Sequence, residues 1–221
     1  MTDALRLAVP KGRLMKQTLR TLAASGVVDS GAVDPGRRLV VRVDGADAVL
    51  GRPLELLLLK NADVPTYVEH GVAEVGVCGT DVLDESDANV WRPHTFDFGS
   101  CRIAIAARAG TTAADLRARP TLRIATKYTR TAARWFAGRG QAVDLVKLNG
   151  SVELGAVLGL ADAIVDLVET GRTLVENDLE VVEVIGQTQV KLIANRSLGR
   201  AQAAAVDRMV AALAGPGTEA P

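Results

Sequence analysis

The residues of this chain best suited to chemistry lie between Asp162 and Leu174. Ala163 to Val168 is apolar except for Asp166 and reads as a buried strand, and Glu169 to Thr173 reads as a tight polar turn. A carboxylate inside an apolar strand is costly unless a cation or hydrogen-bond donors meet it. The turn supplies the hydroxyls of Thr170 and Thr173, a flexible Gly171 and closely spaced backbone N–H groups. It leads into a helix start, where free N–H groups and the positive end of the helix dipole favour an anion. Together these features suit a phosphate monoester, and the stretch is read as a phosphosugar site.

A second group is Lys11-Gly12-Arg13, which follows the apolar strand Leu5 to Val9 and Pro10. Open α/β sheets place ligands at such strand-to-helix turns. Two cations there can face phosphates and glycine permits close approach, although the tripeptide alone fits a solvated loop equally well. Arg37, Arg38, Arg52 and Lys60 stand at strand ends from which a polyphosphate is within reach, and for each the sequence alone favours a solvated surface. Gly79-Thr80-Asp81 is a further ligand-facing turn, and His70 reads as a helix-end residue. Cys78 and Cys101 lie in or beside apolar runs, which points to buried thiols rather than a disulfide or metal site. With His70 and His94 far apart and no Cys/His cluster, no zinc site is expected.

The 26 basic and 26 acidic side chains balance, which argues against a nucleic-acid binder held by bulk electrostatics. The N-terminus lacks a signal-peptide pattern and no uncharged run is long enough for a bilayer, so no membrane contact is expected, the cytoplasm is the default, and the sequons at Asn149 and Asn195 carry no meaning there. Strand patterns at 5–9, 39–43, 54–59, 72–78, 101–107, 122–126, 143–148, 163–168, 179–185 and 190–195 alternate with helical ones. Asp63 and Ser197 are placed as helix caps, 44–53 as loop, and 91–100 as an irregular crossing between domains. The alternation predicts an α/β protein of two small lobes with mostly parallel sheets covered on both faces. Lobe I is assigned to 1–91 plus 178–221 and lobe II to 92–177, with the ligand in the cleft between them.

Six segments carry a resemblance: Pro10 to Leu14, Asp63 to Gly71, Gly79 to Leu83, Ile124 to Tyr128, Gly150 to Glu153 and Asp166 to Leu174. In this order and spacing they resemble ATP phosphoribosyltransferase, the first enzyme of histidine biosynthesis, over residues 5 to about 195. The resemblance implies periplasmic-binding-protein-like lobes and the attack of adenine N1 of ATP on C1 of phosphoribosyl pyrophosphate, with inversion and with Mg²⁺ held mainly by substrate phosphates. It implies that Glu169, Thr170, Gly171, Arg172, Thr173 and Leu174 cradle the 5-phosphate, with Asp166 beside the ribose hydroxyls. Lys11, Gly12 and Arg13 would meet substrate phosphates, Arg37 and Lys60 would assist at the pyrophosphate or triphosphate, and Tyr128 and Glu153 would line the ATP side. Lys60 stands where relatives often carry Arg, Asn177-Asp178 where they usually carry Asn-Gly, and Leu167 where ordinary phosphoribosyltransferases have a second acid. The chain resembles the short form, which implies catalytic homodimers within a hetero-octamer and a regulatory subunit similar to a histidyl-tRNA synthetase. Two rivals stand beside this reading: a two-lobed small-ligand binding protein, and a phosphoribosyltransferase with another acceptor.

Overall fold

The computed structural model describes residues 4–29 and 36–215. They form two compact units, one from the segments up to Gly99 and from Gln189 onward, the other Ser100–Thr188. Each is a mixed sheet with helices on both faces.

In the first unit, β1 (Leu5–Pro10), β3 (Leu54–Leu59) and β4 (Val75–Gly79) form a parallel centre, ordered β3-β1-β4. The antiparallel strands β2 (Val40–Val43), β11 (Val190–Ala194) and β5 (Trp91–Thr95) complete a six-stranded sheet. Alternation along the strands builds two cores. Leu5, Leu7 and Val9, with Leu54, Leu56 and Leu58, face α1 (Arg13–Ala24), α2 (Ala46–Leu50) and α9 (Arg200–Ala214). Ala8, Leu57 and Cys78 face α3 (Val64–Glu69) and α4 (Thr80–Ser86).

The second unit is a five-stranded sheet ordered β10-β6-β9-β7-β8. Here β7 (Leu122–Thr126), β8 (Val143–Lys147) and β9 (Ala163–Val168) run parallel, while β6 (Cys101–Arg108) and β10 (Leu179–Thr188) join antiparallel. One face packs Ile103, Ile105, Leu122, Ile124 and Val165 against α5 (Ala113–Arg117) and α6 (Thr129–Ala137). The other packs Ala104, Ala106, Ala125, Ile164 and Val168 against α7 (Glu153–Val157) and α8 (Arg172–Val175).

Several expectations are corrected. The sheets are parallel only in the runs β3-β1-β4 and β9-β7-β8, the second of which ends at the edge strand β8. The unit boundaries fall at 99/100 and 188/189, not at 91/92 and 177/178, because β5 pairs with β11 and β10 pairs with β6. Residues 91–95 are therefore an edge strand of the first sheet, and 44–53 contains the helix α2. Asp63 makes no side-chain cap, since the 3₁₀ turn Asn61–Asp63 runs straight into α3. Ser197 does not cap α9: its N–H donates to Asn195 Oδ1, and the helix starts after Gly199, whose N–H donates to Gln202 Oε1 at 2.9 Å. The Asn195 amide instead donates to the carbonyls of Val68 and Glu69, closing the end of α3.

At the N-terminal edge of the first sheet, buried Glu74 accepts hydrogen bonds from the Arg6 N–H (2.8 Å), the Arg6 guanidinium (3.2 Å) and the Gln202 amide (3.2 Å). This ties β1, the lead-in to β4 and α9 to one carboxylate. Glu74→Ala strips three donors of their acceptor and should destabilise the chain by about 2–4 kcal/mol in urea unfolding. A loss below about 1 kcal/mol would show the network to be dispensable.

Candidate functional site

In the first unit the C-terminal ends of β3, β1 and β4 lie side by side. Pro10 pairs with Leu59, and the Lys11 N–H donates to the Leu59 carbonyl at 3.2 Å. Lys11 and Lys60 therefore leave adjacent strands at the same edge. Gly12 has φ 94° and ψ −134°, a backbone region closed to residues with a Cβ. It turns the chain directly into α1, leaving Lys11, Gly12 and Arg13 exposed at the helix start. The β2–β3 register pairs Val40 with Leu57, and Arg37 lies three residues before β2, exposed in a turn. The structure thus brings Lys11, Arg13 and Lys60 to one sheet edge, and its strand pairing does not extend to Arg37. It does not bring Arg52 there: Arg52 precedes β3 and Lys60 follows it, about 26 Å apart along the extended chain at about 3.3 Å per residue.

Gly79-Thr80-Asp81 sits at the same edge but is engaged with its own chain. The Thr80 N–H donates to the Gln189 carbonyl (2.9 Å), and the Thr80 hydroxyl accepts from the Gln189 N–H (3.1 Å). The buried Asp81 carboxylate lies over Gly79, where a Cβ would come within 2.0 Å of Asp81 Oδ1. Beside it Lys191 donates to Thr95 Oγ1 (2.5 Å) and Gln189 Oε1 (3.1 Å), a cation at this edge that sequence reasoning passed over. Cys78 is fully buried and free, and burial, helped by Asp81, pushes its thiol far above the ordinary range, so it offers no nucleophile. Cys101 forms no disulfide among the described residues and is only half-buried. His70 is the C-cap residue of α3, and burial lowers the pKa of His94.

In the second unit the C-terminal ends of β9, β7 and β8 align in the same way. Asp166 lies on the same face of β9 as Ile164 and Val168, yet its side chain keeps 20% exposure. Its Oδ1 accepts the Leu167 N–H at 2.8 Å and stands 3.9 Å from Lys127 Nζ. The parallel register pairs Thr126 with Val165, so Lys127 comes level with Asp166. The Thr126 hydroxyl locks that register, donating to the Val165 carbonyl (2.6 Å) and accepting from the Tyr128 N–H (2.9 Å). Lys127 is the partner of Asp166 that the sequence did not reveal. The Tyr128 ring is buried, with the Lys127 ammonium 4.7 Å from its centroid, so the ammonium and not the ring is the more exposed group.

After β9, Glu169 and Thr170 are exposed and Gly171 takes φ 79°, the left-handed geometry that suits glycine. Arg172 and Thr173 open α8, and Leu174, 6% exposed, anchors the turn in the core. Arg172 pairs with Glu176 at 2.7 Å, and the Asn177 amide donates to the Thr173 carbonyl at 2.8 Å. Asp178, where the resemblance leads one to expect glycine, has φ 55° and so occupies a left-handed position. Glu153 begins α7 beyond β8, and Gly155 lets that helix approach β7, since a Cβ there would lie 2.8 Å from Ala125 Cβ. No group of three or more metal-ligating His, Cys, Asp or Glu side chains forms among the described residues.

Residues 60–215 match the family model for ATP phosphoribosyltransferase. The curated ATP phosphoribosyltransferase of Rubrobacter xylanophilus is 40% identical over 212 residues, covering 95% of this chain and 94% of its own. The chain belongs to the ATP phosphoribosyltransferase family. A solved structure of the ATP phosphoribosyl transferase (HisG:HisZ) complex from Thermotoga maritima contains a similar chain, 31% identical with a TM-score of 0.75, covering 95% of this chain and 98% of that one. The VFT2 domain of BvgS from Bordetella pertussis is 14% identical with a TM-score of 0.59, covering 97% of this chain and 88% of that domain. That second likeness shows the fold alone, a periplasmic-binding-protein-like one.

Within an ATP phosphoribosyltransferase, a pair as exposed as Lys127–Asp166 adds at most about 1 kcal/mol to stability. Lys127→Met is therefore expected to leave the thermal midpoint within about 3 °C of the parent while lowering kcat/KM roughly tenfold or more, about 1.4 kcal/mol. Unchanged kcat/KM would show that Asp166 does not need this cation.

Proposed function

We propose that this chain transfers the 5-phosphoribosyl group of phosphoribosyl pyrophosphate to N1 of ATP and releases pyrophosphate, the first step of histidine biosynthesis. Family membership over nearly the whole chain is the observation that carries the reading, and the Glu169–Thr173 turn at the end of β9 supports it at the level of chemistry.

The N1 lone pair of adenine forms the new N–C bond as the C1–O bond to pyrophosphate breaks, and the electron pair leaves with pyrophosphate. N1 carries no proton to remove, so no strong base is required. The work is alignment of two anionic substrates and stabilisation of departing negative charge. In this reading the turn N–H groups and the Thr170 and Thr173 hydroxyls hold the 5-phosphate, while Leu174 fixes the turn to the core. Asp166, kept in place by Lys127, addresses the ribose hydroxyls. Lys11, Arg13, Arg37 and Lys60 supply cations to the pyrophosphate and triphosphate oxygens, with Gly12 permitting backbone approach. Glu153 belongs to the ATP side, and the buried Tyr128 ring supports Lys127 and does not itself line the site. Mg²⁺ would be held mainly by substrate phosphates, with Asp166 the carboxylate placed to assist, and it would supply further neutralisation of the leaving group.

The similar chain of Thermotoga maritima stands in a HisG:HisZ complex, which supports a regulatory partner subunit for this chain as well, and we extend this to catalytic homodimers within a hetero-octamer. None of the described helices is long and apolar enough to cross a membrane, and the substrates are metabolites of the cytoplasm, where we place the chain. A non-catalytic binding protein is not favoured, since that likeness rests on 14% identity.

Mixing the chain with ATP, phosphoribosyl pyrophosphate, Mg²⁺ and pyrophosphatase should yield phosphoribosyl-ATP, followed on the long-wavelength shoulder of adenine absorbance. Absence of product both with and without the partner subunit would sink the reading. Thr173→Ala removes a hydroxyl from a charged phosphate, an interaction worth about 1.5–3 kcal/mol, and should weaken phosphoribosyl pyrophosphate binding at least about tenfold while changing ATP binding far less. Equal weakening of both substrates would count against the cradle.

A further inference from the structure

The second unit contains a cavity that the proposed reaction does not use. It has a volume of about 470 Å³, within the range of small-molecule sites. Leu122 and Ala142 at the N-terminal edge of β7 and β8 line it, together with the end of α5 and the segment from Trp135 to Gln141. The phosphate turn and Lys127 lie at the opposite, C-terminal edge of the same strands.

The cavity has an apolar floor and a charged rim. Leu116, Leu122 and Phe136 are buried at its base, and Trp135 stands edge-on to Phe136 with centroids 4.7 Å apart. The Arg139 guanidinium covers the Trp135 ring at 3.7 Å and pairs with Glu183 at 3.8 Å. Arg119 is neutralised by Asp162 at 2.8 Å. Arg117, on the last turn of α5, also lines the cavity and has no ion-pair partner among the described residues. The rim therefore carries one uncompensated positive charge above an aromatic and aliphatic floor.

A second observation concerns β10. Its register against β6 slips between Val181 and Glu183, a bulge that lets the consecutive residues Val182 and Glu183 both line the cavity, where a regular strand would turn them to opposite faces. Bulges of this kind re-aim side chains beside binding sites. Here the bulge puts the carboxylate that fixes Arg139, and through it the stacked indole, on the cavity wall.

We infer that this cavity is a binding site for a small planar aromatic monoanion of the aryl carboxylate class. The ring lies over the buried floor against the partly exposed Trp135, Val182 and Pro120, and the carboxylate meets Arg117. The site is independent of the phosphoribosyl transfer proposed above.

Ligand-detected saturation-transfer NMR on the full chain tests this with 1-naphthoate as the probe and the uncharged 1-naphthalenemethanol as its control. The expected result is saturable naphthoate binding that excess phosphoribosyl pyrophosphate and ATP do not displace. Binding should be at least tenfold weaker for the alcohol, at least tenfold weaker in Arg117→Gln, and lost in Ala113→Phe, which fills the cavity from α5. Arg117 is exposed and unpaired, so its variant keeps the fold and carries the test should Ala113→Phe fail to fold. Four outcomes overturn the site: no saturable binding to the parent chain, displacement by the substrates, equal affinity for acid and alcohol, or undiminished binding in Arg117→Gln.

Discussion

The site in the second unit depends on the strand register that sets Asp166 beside Lys127. The residue occupies a position on β9 whose neighbours on that face, Ile164 and Val168, are buried in the core. Asp166 differs from them in keeping 20% side-chain exposure, so solvent shares in meeting its charge. The fold supplies the Leu167 N–H and the Lys127 ammonium, and Lys127 arrives only because β7 runs parallel to β9 in one register. The Thr126 hydroxyl, buried on the Val165 carbonyl, fixes that register. A slip of one residue would turn Asp166 and Lys127 to opposite faces. Placement of the acid, the cation and the turn that follows is thus one constraint, not three.

The same economy governs the first unit. Parallel strands end together, so polar residues that follow β1, β3 and β4 gather at one edge without long loops. Antiparallel strands sit outside the parallel centre, where they widen the sheet and leave the shared edge clear. What collects there is cationic: Lys11, Arg13, Lys60 and Lys191. The one fully buried thiol is raised out of reach of chemistry and neither histidine stands at the phosphate turn, so catalysis has to rest on charge and alignment.

What was legible in the sequence follows from how local each signal is. The apolar runs of β1, β3 and β9 and the glycine-bearing turns after β1 and β9 are written in consecutive residues, and they fall where expected. β5 was hidden because Trp-Arg-Pro-His-Thr shows no alternation; an edge strand paired on one side only tolerates Pro93. β10 reads as a strand, but its partner β6 lies far back in the chain, so sequence order assigned it to the wrong unit. Lys127 is 39 residues from Asp166, and nothing local links them. Arg52 looked equivalent to Lys60 because both flank β3; direction along the strand separates them, and that is visible only once the sheet is ordered. Asp178 was visible as a departure, but its meaning, a left-handed backbone held by a residue with a Cβ, needed the dihedral angle.

The fold itself does not decide the function. A domain 14% identical superposes over nearly the whole chain, so layers, strand order and core are compatible with binding a ligand and doing nothing to it. The difference has to lie in the few residues beyond the strand ends. A binding protein for a neutral ligand gains nothing from a left-handed Gly171 that opens a turn of two hydroxyls, or from a Gly12 in a backbone region that suits only glycine beside two cations. Both features spend conformational freedom to expose backbone N–H groups to an anion, and both are placed where a parallel strand delivers them. The hydrophobic cores position those turns, and the turns, not the cores, separate a phosphoribosyl-transferring chain from its binding-protein likenesses.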